Sequence, residues 1–218
     1  MPGKLTYFNA GGRAEAIRAM LGHANFQYED ERLNPEEFKA ARESGRFPLG
    51  SVPIWEEDGD VYVQSNAILR FLAIRLGYYT SDAQIAWNID SIMDYSEDMY
   101  GKFASFIYPF IFGTAIDDTK ADAWVSGFWT PYIKFIEARL AAHGKNYVGG
   151  TDTPTCADFK CFQVCIVFLT ENSAMALSEA TRAKIQVVIA QNPGYTRWLA
   201  AMKADCAAYL QARPPAPL

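Results

Sequence analysis

The 218 residues predict an α+β protein, mainly α, in which a βαβαββα segment is followed by an all-helical one. Three observations carry that reading. Strand-like and helix-like patterns alternate up to residue 77, and from residue 84 onward the apolar spacing is helical. Asp58-Gly59, between two short alternating runs, is a hairpin turn. A composition of 50% hydrophobic against 21% charged residues supplies enough apolar surface for a large core.

The first segment spans residues 1–77. Lys4–Phe8 is a short strand, and Gly11-Gly12 is a turn. Arg13–Leu21 has helical spacing through Ala16, Ile17, Met20 and Leu21, with Gly22 as its expected stop. Phe26–Arg32 alternates like a strand. Asn34-Pro35-Glu36-Glu37 is a helix start: an Asn cap, Pro at the first helical position, and Glu three residues after the cap. Ile54–Glu57 and Val61–Gln64 form the hairpin arms. Ser65 is expected to cap a helix with apolar positions Ile68, Leu69, Leu72 and Leu76, closed by Gly77. The opening βαβ unit favours a parallel pair, and the hairpin adds antiparallel strands.

Residues 78–83 read as a linker, and 84–218 as a helical unit with candidates over 84–112, 118–143, 155–172, 178–190 and 195–211. Tyr147–Gly150 is a loop. Thr155-Cys156-Ala157-Asp158 opens a helix, with Asp158 placed to answer the Thr155 cap. The Pro-rich tail from Arg213 cannot be helical and is expected to be loose.

Several function classes are excluded early. A net charge of −5 gives no basic footprint for nucleic acid. No apolar run suggests a membrane span, and the N-terminus lacks a signal-peptide stretch. Four cysteines, at 156, 161, 165 and 206, suggest no disulfide framework, so a cytoplasmic setting is expected. Cys161 and Cys165 share a helix face but have no second half of a metal site, so no metal and no cofactor are expected. Disulfide exchange would need a cysteine at the first strand–helix turn, and that turn, Tyr7–Arg13, has none. Nor is there a phosphate-binding glycine motif or a nucleophile elbow.

Tyr7, Gly12-Arg13, Val52-Pro53 and Gln64–Arg70 together resemble the cytosolic glutathione transferases, most nearly the tyrosine-type sigma and pi classes. Glu97-Asp98, Tyr108 and the Thr155-x-x-Asp158 start also fall where that family has them. The resemblance covers essentially the whole chain. It implies a thioredoxin-like N-terminal domain, an all-helical C-terminal domain, a homodimer, and a site for glutathione as co-substrate. It also implies a cis bond at Val52-Pro53, whose bend would present the Val52 backbone to the peptide like an added strand.

The implied chemistry is thiol activation. A free thiol has a pKa near ~8.5, and lowering it by ~1.5 units takes about 2 kcal/mol. One hydrogen bond to a charged group supplies roughly 1.5–3 kcal/mol, so a well-aimed Tyr hydroxyl suffices. Taken alone, Tyr7 reads as a core residue at a strand end. The resemblance makes it the catalytic donor to the thiolate, with Arg13 supporting the local field. Gln64, Ser65 and Asp98 would hold the γ-glutamyl end, Asp98 acting from the partner subunit. Ser65 suits a carboxylate as well as it suits a cap, because a helix N-terminus offers free N–H groups.

The chain departs from the family at the glycyl end. Phe38 stands where Trp is common and lacks the indole donor. Lys39, Arg42 and Arg46 all compete for the glycyl carboxylate. Arg42, one turn after Phe38, is preferred for its bidentate fork. Ser51 replaces a common Gln, and Leu49 replaces an aromatic that locks some dimers. Phe8, Met99, Tyr108 and Phe112 are candidates for an apolar pocket that would take a small hydrophobic electrophile. Alternatives on the same scaffold are a sigma-type isomerase of prostaglandin-like endoperoxides and a non-catalytic, crystallin-like binding protein.

Overall fold

The structure is a computed structural model. It describes residues 3–111, 121–169 and 178–214, with side chains described over 3–102, 122–167 and 178–214. Strand β1 (Lys4–Phe8) leads through a short 3-10 turn (Gly12–Ala14) into α1 (Glu15–His23). Then come β2 (Glu29–Leu33), α2 (Pro35–Glu43), β3 (Ile54–Glu57), β4 (Asp60–Val63) and α3 (Ser65–Leu76). The sheet order is β2-β1-β3-β4. β1 and β2 are parallel, and β1–β3 and β3–β4 are antiparallel, so the βαβαββα expectation holds.

Local chemistry explains the clearest boundaries. Asn34 accepts from the Glu37 N–H at 2.9 Å, and the Glu37 carboxylate accepts from the Asn34 N–H at 2.8 Å, a complete capping box before Pro35. Asp58 and Gly59 both have left-handed φ, at 53° and 90°, as a type I′ hairpin turn requires.

Tertiary packing moves other boundaries. The strand expected over 26–32 begins only at Glu29, because Phe26 and Tyr28 turn onto the ring of Trp55. Gly22 does not end α1. A Cβ there would come within 2.9 Å of the Tyr209 ring, so this glycine serves close packing inside the helix. Ser65 is not the cap of α3 but its first residue; Gln64 holds the cap position at φ 71° and makes no side-chain cap bond.

The second half comprises α4 (Ala83–Ile111), α5 (Ala121–Trp124), a π segment (Val125–Trp129), α6 (Thr130–His143), α7 (Cys156–Leu169), α8 (Glu179–Ala190), α9 (Pro193–Asp205) and α10 (Ala207–Ala212). The 118–143 candidate is thus interrupted. Pro131 has no N–H to give the preceding turn, and the Thr130 hydroxyl bonds the Val125 carbonyl at 2.9 Å. The 195–211 candidate breaks at Cys206, which lets α10 lie against α1.

The start of α7 is held by Asp158, a buried carboxylate. It accepts from the Thr155 N–H and hydroxyl and the Val148 N–H, each at 2.8 Å, and from the Trp198 indole at 2.9 Å. One continuous apolar cluster runs from Leu5, Ile17 and Leu72 through Ile92 and Met93 to Phe159, Val164 and Trp198. The chain that leaves α10 is also tied down at its first residue. Arg213 pairs with the buried Glu15 at 2.8 Å, against the expectation of a tail loose from Arg213.

Candidate active site

The end of β1 and the turn after it place the first functional groups. Tyr7 is nearly buried, and its hydroxyl accepts the Arg13 N–H at 3.1 Å. Gly12 makes this approach possible: its φ is +45°, and a Cβ there would overlap the Tyr7 hydroxyl. From the helical half, Gln163 of α7 is fully buried and donates Nε2 to the Gly12 carbonyl at 2.7 Å. The turn is therefore clamped from both sides.

A cavity of about 280 Å³ opens beside this turn. Arg13, Ser51, Val52, Pro53, Gln64, Ser65 and Glu97 line it. The Val52-Pro53 bond is cis. Ser65 sits at the N-terminus of α3, where unpaired helix N–H groups favour an anion. Tyr7 is not among the lining residues and meets the cavity through Arg13. Of the expected residues, Arg13, Val52, Pro53, Gln64 and Ser65 come together here.

The carboxylate that lines this cavity from the same chain is Glu97. Glu97 takes Arg13 Nε at 2.8 Å on one oxygen and Lys160 Nζ at 2.6 Å on the other. Burial pushes its pKa up, but the two cations outweigh that and hold it below the usual carboxylate range. Asp98, the next residue of α4, is exposed and does not line the cavity. Lys160 and Gln163 were missed in the sequence. Both stand in the run Cys156–Val167, every residue of which is buried, and a lysine within such a run demands a buried partner.

At the glycyl end, Phe38 is half-buried among Phe8 at 4.8 Å and Phe47 at 5.6 Å between ring centroids. Arg46, another of the three candidates, is engaged with Glu31, Glu56 and Thr6. Arg42 is exposed, covers the Phe38 ring at 5.6 Å, and has its stem by Gly50, next to the Ser51–Val52 wall. Lys39 is exposed.

Of the apolar-pocket candidates, Phe8 is half-buried and edge-on to Tyr7. Met99 is 3% exposed and packs in the core, so it is no open wall. The Tyr108 side chain and Phe112 lie outside the described residues.

The cysteines are all free and buried. Burial pushes Cys156, Cys161 and Cys206 up to about 12 and Cys165 to about 11, which makes them poor nucleophiles near neutrality. Among the described residues, no group of His, Cys, Asp and Glu could hold a metal ion, and no helix is long and apolar enough to cross a membrane.

Comparison with known proteins identifies the family. The family model described as the glutathione S-transferase N-terminal domain matches residues 3–74. Mouse (Mus musculus) glutathione S-transferase A4 is 31% identical over 177 residues, covering 81% of this chain and 78% of its own. The glutathione S-transferase of Ascaris lumbricoides superposes with a TM-score of 0.80 at 22% identity over the full length of both chains. A monomeric glutathione S-transferase of the hookworm Necator americanus gives 0.79 at 24%, covering 98% of each. The matched region holds Tyr7, Arg13, Val52 and Ser65, and the identity extends well beyond it: the chain belongs to the glutathione S-transferase family and is a glutathione transferase enzyme.

Proposed function

We propose that this enzyme conjugates reduced glutathione to small hydrophobic electrophiles by attack of a thiolate that Tyr7 stabilises. The observation that carries this reading is the Tyr7 hydroxyl, fixed by the Arg13 N–H at 3.1 Å beside a polar-lined cavity. A phenol that accepts one N–H and donates its own proton to a thiolate acts as a neutral donor, and such a charge-assisted bond is of sufficient strength. The Val52 backbone beside cis-Pro53 would pair with the cysteinyl part of glutathione. Ser65 and the start of α3 would take the γ-glutamyl carboxylate, with Gln64 beside them. Arg42, over Phe38, would grip the glycyl carboxylate; this choice is supported by the engagement of Arg46 elsewhere. Asp98 would reach the γ-glutamyl ammonium from a second copy of the chain, which makes the working unit a homodimer.

The test is a pH titration of the ultraviolet thiolate absorbance of bound glutathione. The expected apparent pKa lies well below ~8.5, the value of a free thiol. Tyr7→Phe should keep glutathione binding and lose most turnover. Binding with no pKa shift would instead mark a non-catalytic scaffold, and unchanged turnover in Tyr7→Phe would remove Tyr7 from the role.

A further inference from the structure

Helix α7 carries a lysine that the chemistry above does not use. The Lys160 side chain is 1% exposed, a burial that lysine reaches only with a partner. Its ammonium donates to Glu97 Oε2 at 2.6 Å, while Glu97 Oε1 accepts from Arg13 Nε at 2.8 Å. Both cations also approach one aromatic ring: the Arg13 guanidinium carbon lies 5.0 Å, and Lys160 Nζ 5.8 Å, from the Tyr100 centroid. Arg13 and Glu97 line the cavity, and Lys160 stands behind them.

The charge arithmetic gives Lys160 its role. Arg13 and Glu97 alone would cancel and leave that wall of the cavity neutral, where a thiolate has to form. With Lys160 the trio holds two cations and one carboxylate, so one positive charge remains. We propose that Lys160 is a positioning residue that neutralises Glu97 from behind, leaving the Arg13 charge to act on the glutathione thiol and set its ionisation. This inference rests on the thiolate reading above. The groups facing the ammonium are Glu97 and the Tyr100 ring on α4, Arg13 from the first turn, and Cys161 beside it on α7. Burial draws the lysine below its usual range, Glu97 opposes that, and the lowered pKa of Glu97 matches a cationic partner.

Lys160→Met keeps the volume of the side chain and deletes its charge. The measurement is the pH titration of bound-glutathione thiolate, made on wild type, on Lys160→Met and on the double variant Lys160→Met/Glu97→Gln. The single variant should raise the bound-thiol pKa by about one unit, a tenfold loss of thiolate at a fixed pH below it. The double variant restores the net charge of one and should return the pKa to the wild-type value. A lysine that only props α7 would predict no such return, because the double variant would be the more disturbed of the two. An unshifted wild-type pKa overturns the thiolate reading and this inference with it. A shifted wild type with an unchanged Lys160→Met overturns the role of Lys160 alone. If Lys160→Met does not fold, Lys160→Gln takes its place in the same comparison: a pKa raised by about a unit supports the proposal, and a wild-type value overturns it.

Discussion

Gly12 carries two constraints at once. Its backbone lies in the left-handed region, and the space its missing side chain leaves is filled by the Tyr7 hydroxyl. Alanine there is strained by about 1–3 kcal/mol and must also displace the phenol. Gly12→Ala should therefore lower the melting temperature by several degrees, about 2–4 °C per kcal/mol in a chain of this size, and should cut kcat with an aryl halide at least tenfold. The two effects are read by thermal denaturation and by steady-state kinetics. A variant with lowered stability but wild-type kcat would show that the hydroxyl tolerates displacement. The sequence reads Gly11-Gly12 as a turn because two glycines in a row are a local signal. It says nothing of the space reserved for Tyr7, because that contact depends on how β1 and the turn fold back on each other. The same limit hid the place of Glu97 in the wall of its own chain's cavity. Adjacent carboxylates on a helix point about 100° apart, and only the packing of α4 decides which one faces the cavity.

Elements with their own chemical punctuation were legible: the Asn34 box before α2, the Asp58-Gly59 turn, and the Gly77 stop of α3, which has the expected left-handed φ of 82°. Elements shaped by neighbours were not. The π segment and the break at Cys206 interrupt sequences of uniform helical spacing. The fate of Arg46 is likewise set by the sheet. It reads as one of three cations near Phe38, yet it joins Glu31 of β2, Thr6 of β1 and Glu56 of β3, with Lys4 of β1 3.2 Å from Glu56. The Glu31 pKa is lowered chiefly by its hydrogen bond from Arg46. At Glu56 burial pushes upward, but Arg46 and Lys4 outweigh it and the net direction is again down. Carboxylates depressed in the folded state add stability above their unfolded pKa, near 4.5, and that stability is lost as pH falls through their folded values. Arg46→Gln should thus cost about 1 kcal/mol at pH 6, since these groups are partly solvated, and should flatten the acid limb below pH 4.5. Urea midpoints measured from pH 6 to pH 3 check both parts. A parallel pair of curves would mean that the cluster does not respond to acid.

At the scale of the whole molecule the two halves are joined through the site itself. Gln163 holds the Gly12 carbonyl, Lys160 and Glu97 reach Arg13, and one apolar cluster runs through both. The proposed linker at 78–83 separates patterns in the sequence, yet the cavity wall draws on residues from both sides of it. Among the described residues, one chain places no carboxylate free of a cation at its own cavity: Glu97 is occupied by Arg13 and Lys160, and Asp98 is exposed on α4. The γ-glutamyl ammonium of glutathione needs such an acceptor, and a second copy that presents Asp98 would supply it. Large apolar side chains stand exposed on both α3 and α4, Ile74 at 62% and Trp87 at 55%. If the site is shared, glutathione affinity depends on protein concentration. Dilution through the dimer–monomer transition, followed in parallel by sedimentation and by glutathione binding, should weaken binding as the monomer appears. Asp98→Asn should weaken it about tenfold at every concentration, as the loss of one charge-assisted bond of roughly 1.5 kcal/mol implies. A monomer that keeps full affinity would return Asp98 to the solvated surface and leave the ammonium to be held within one chain, where Glu97 would have to share its two occupied oxygens with a third cation.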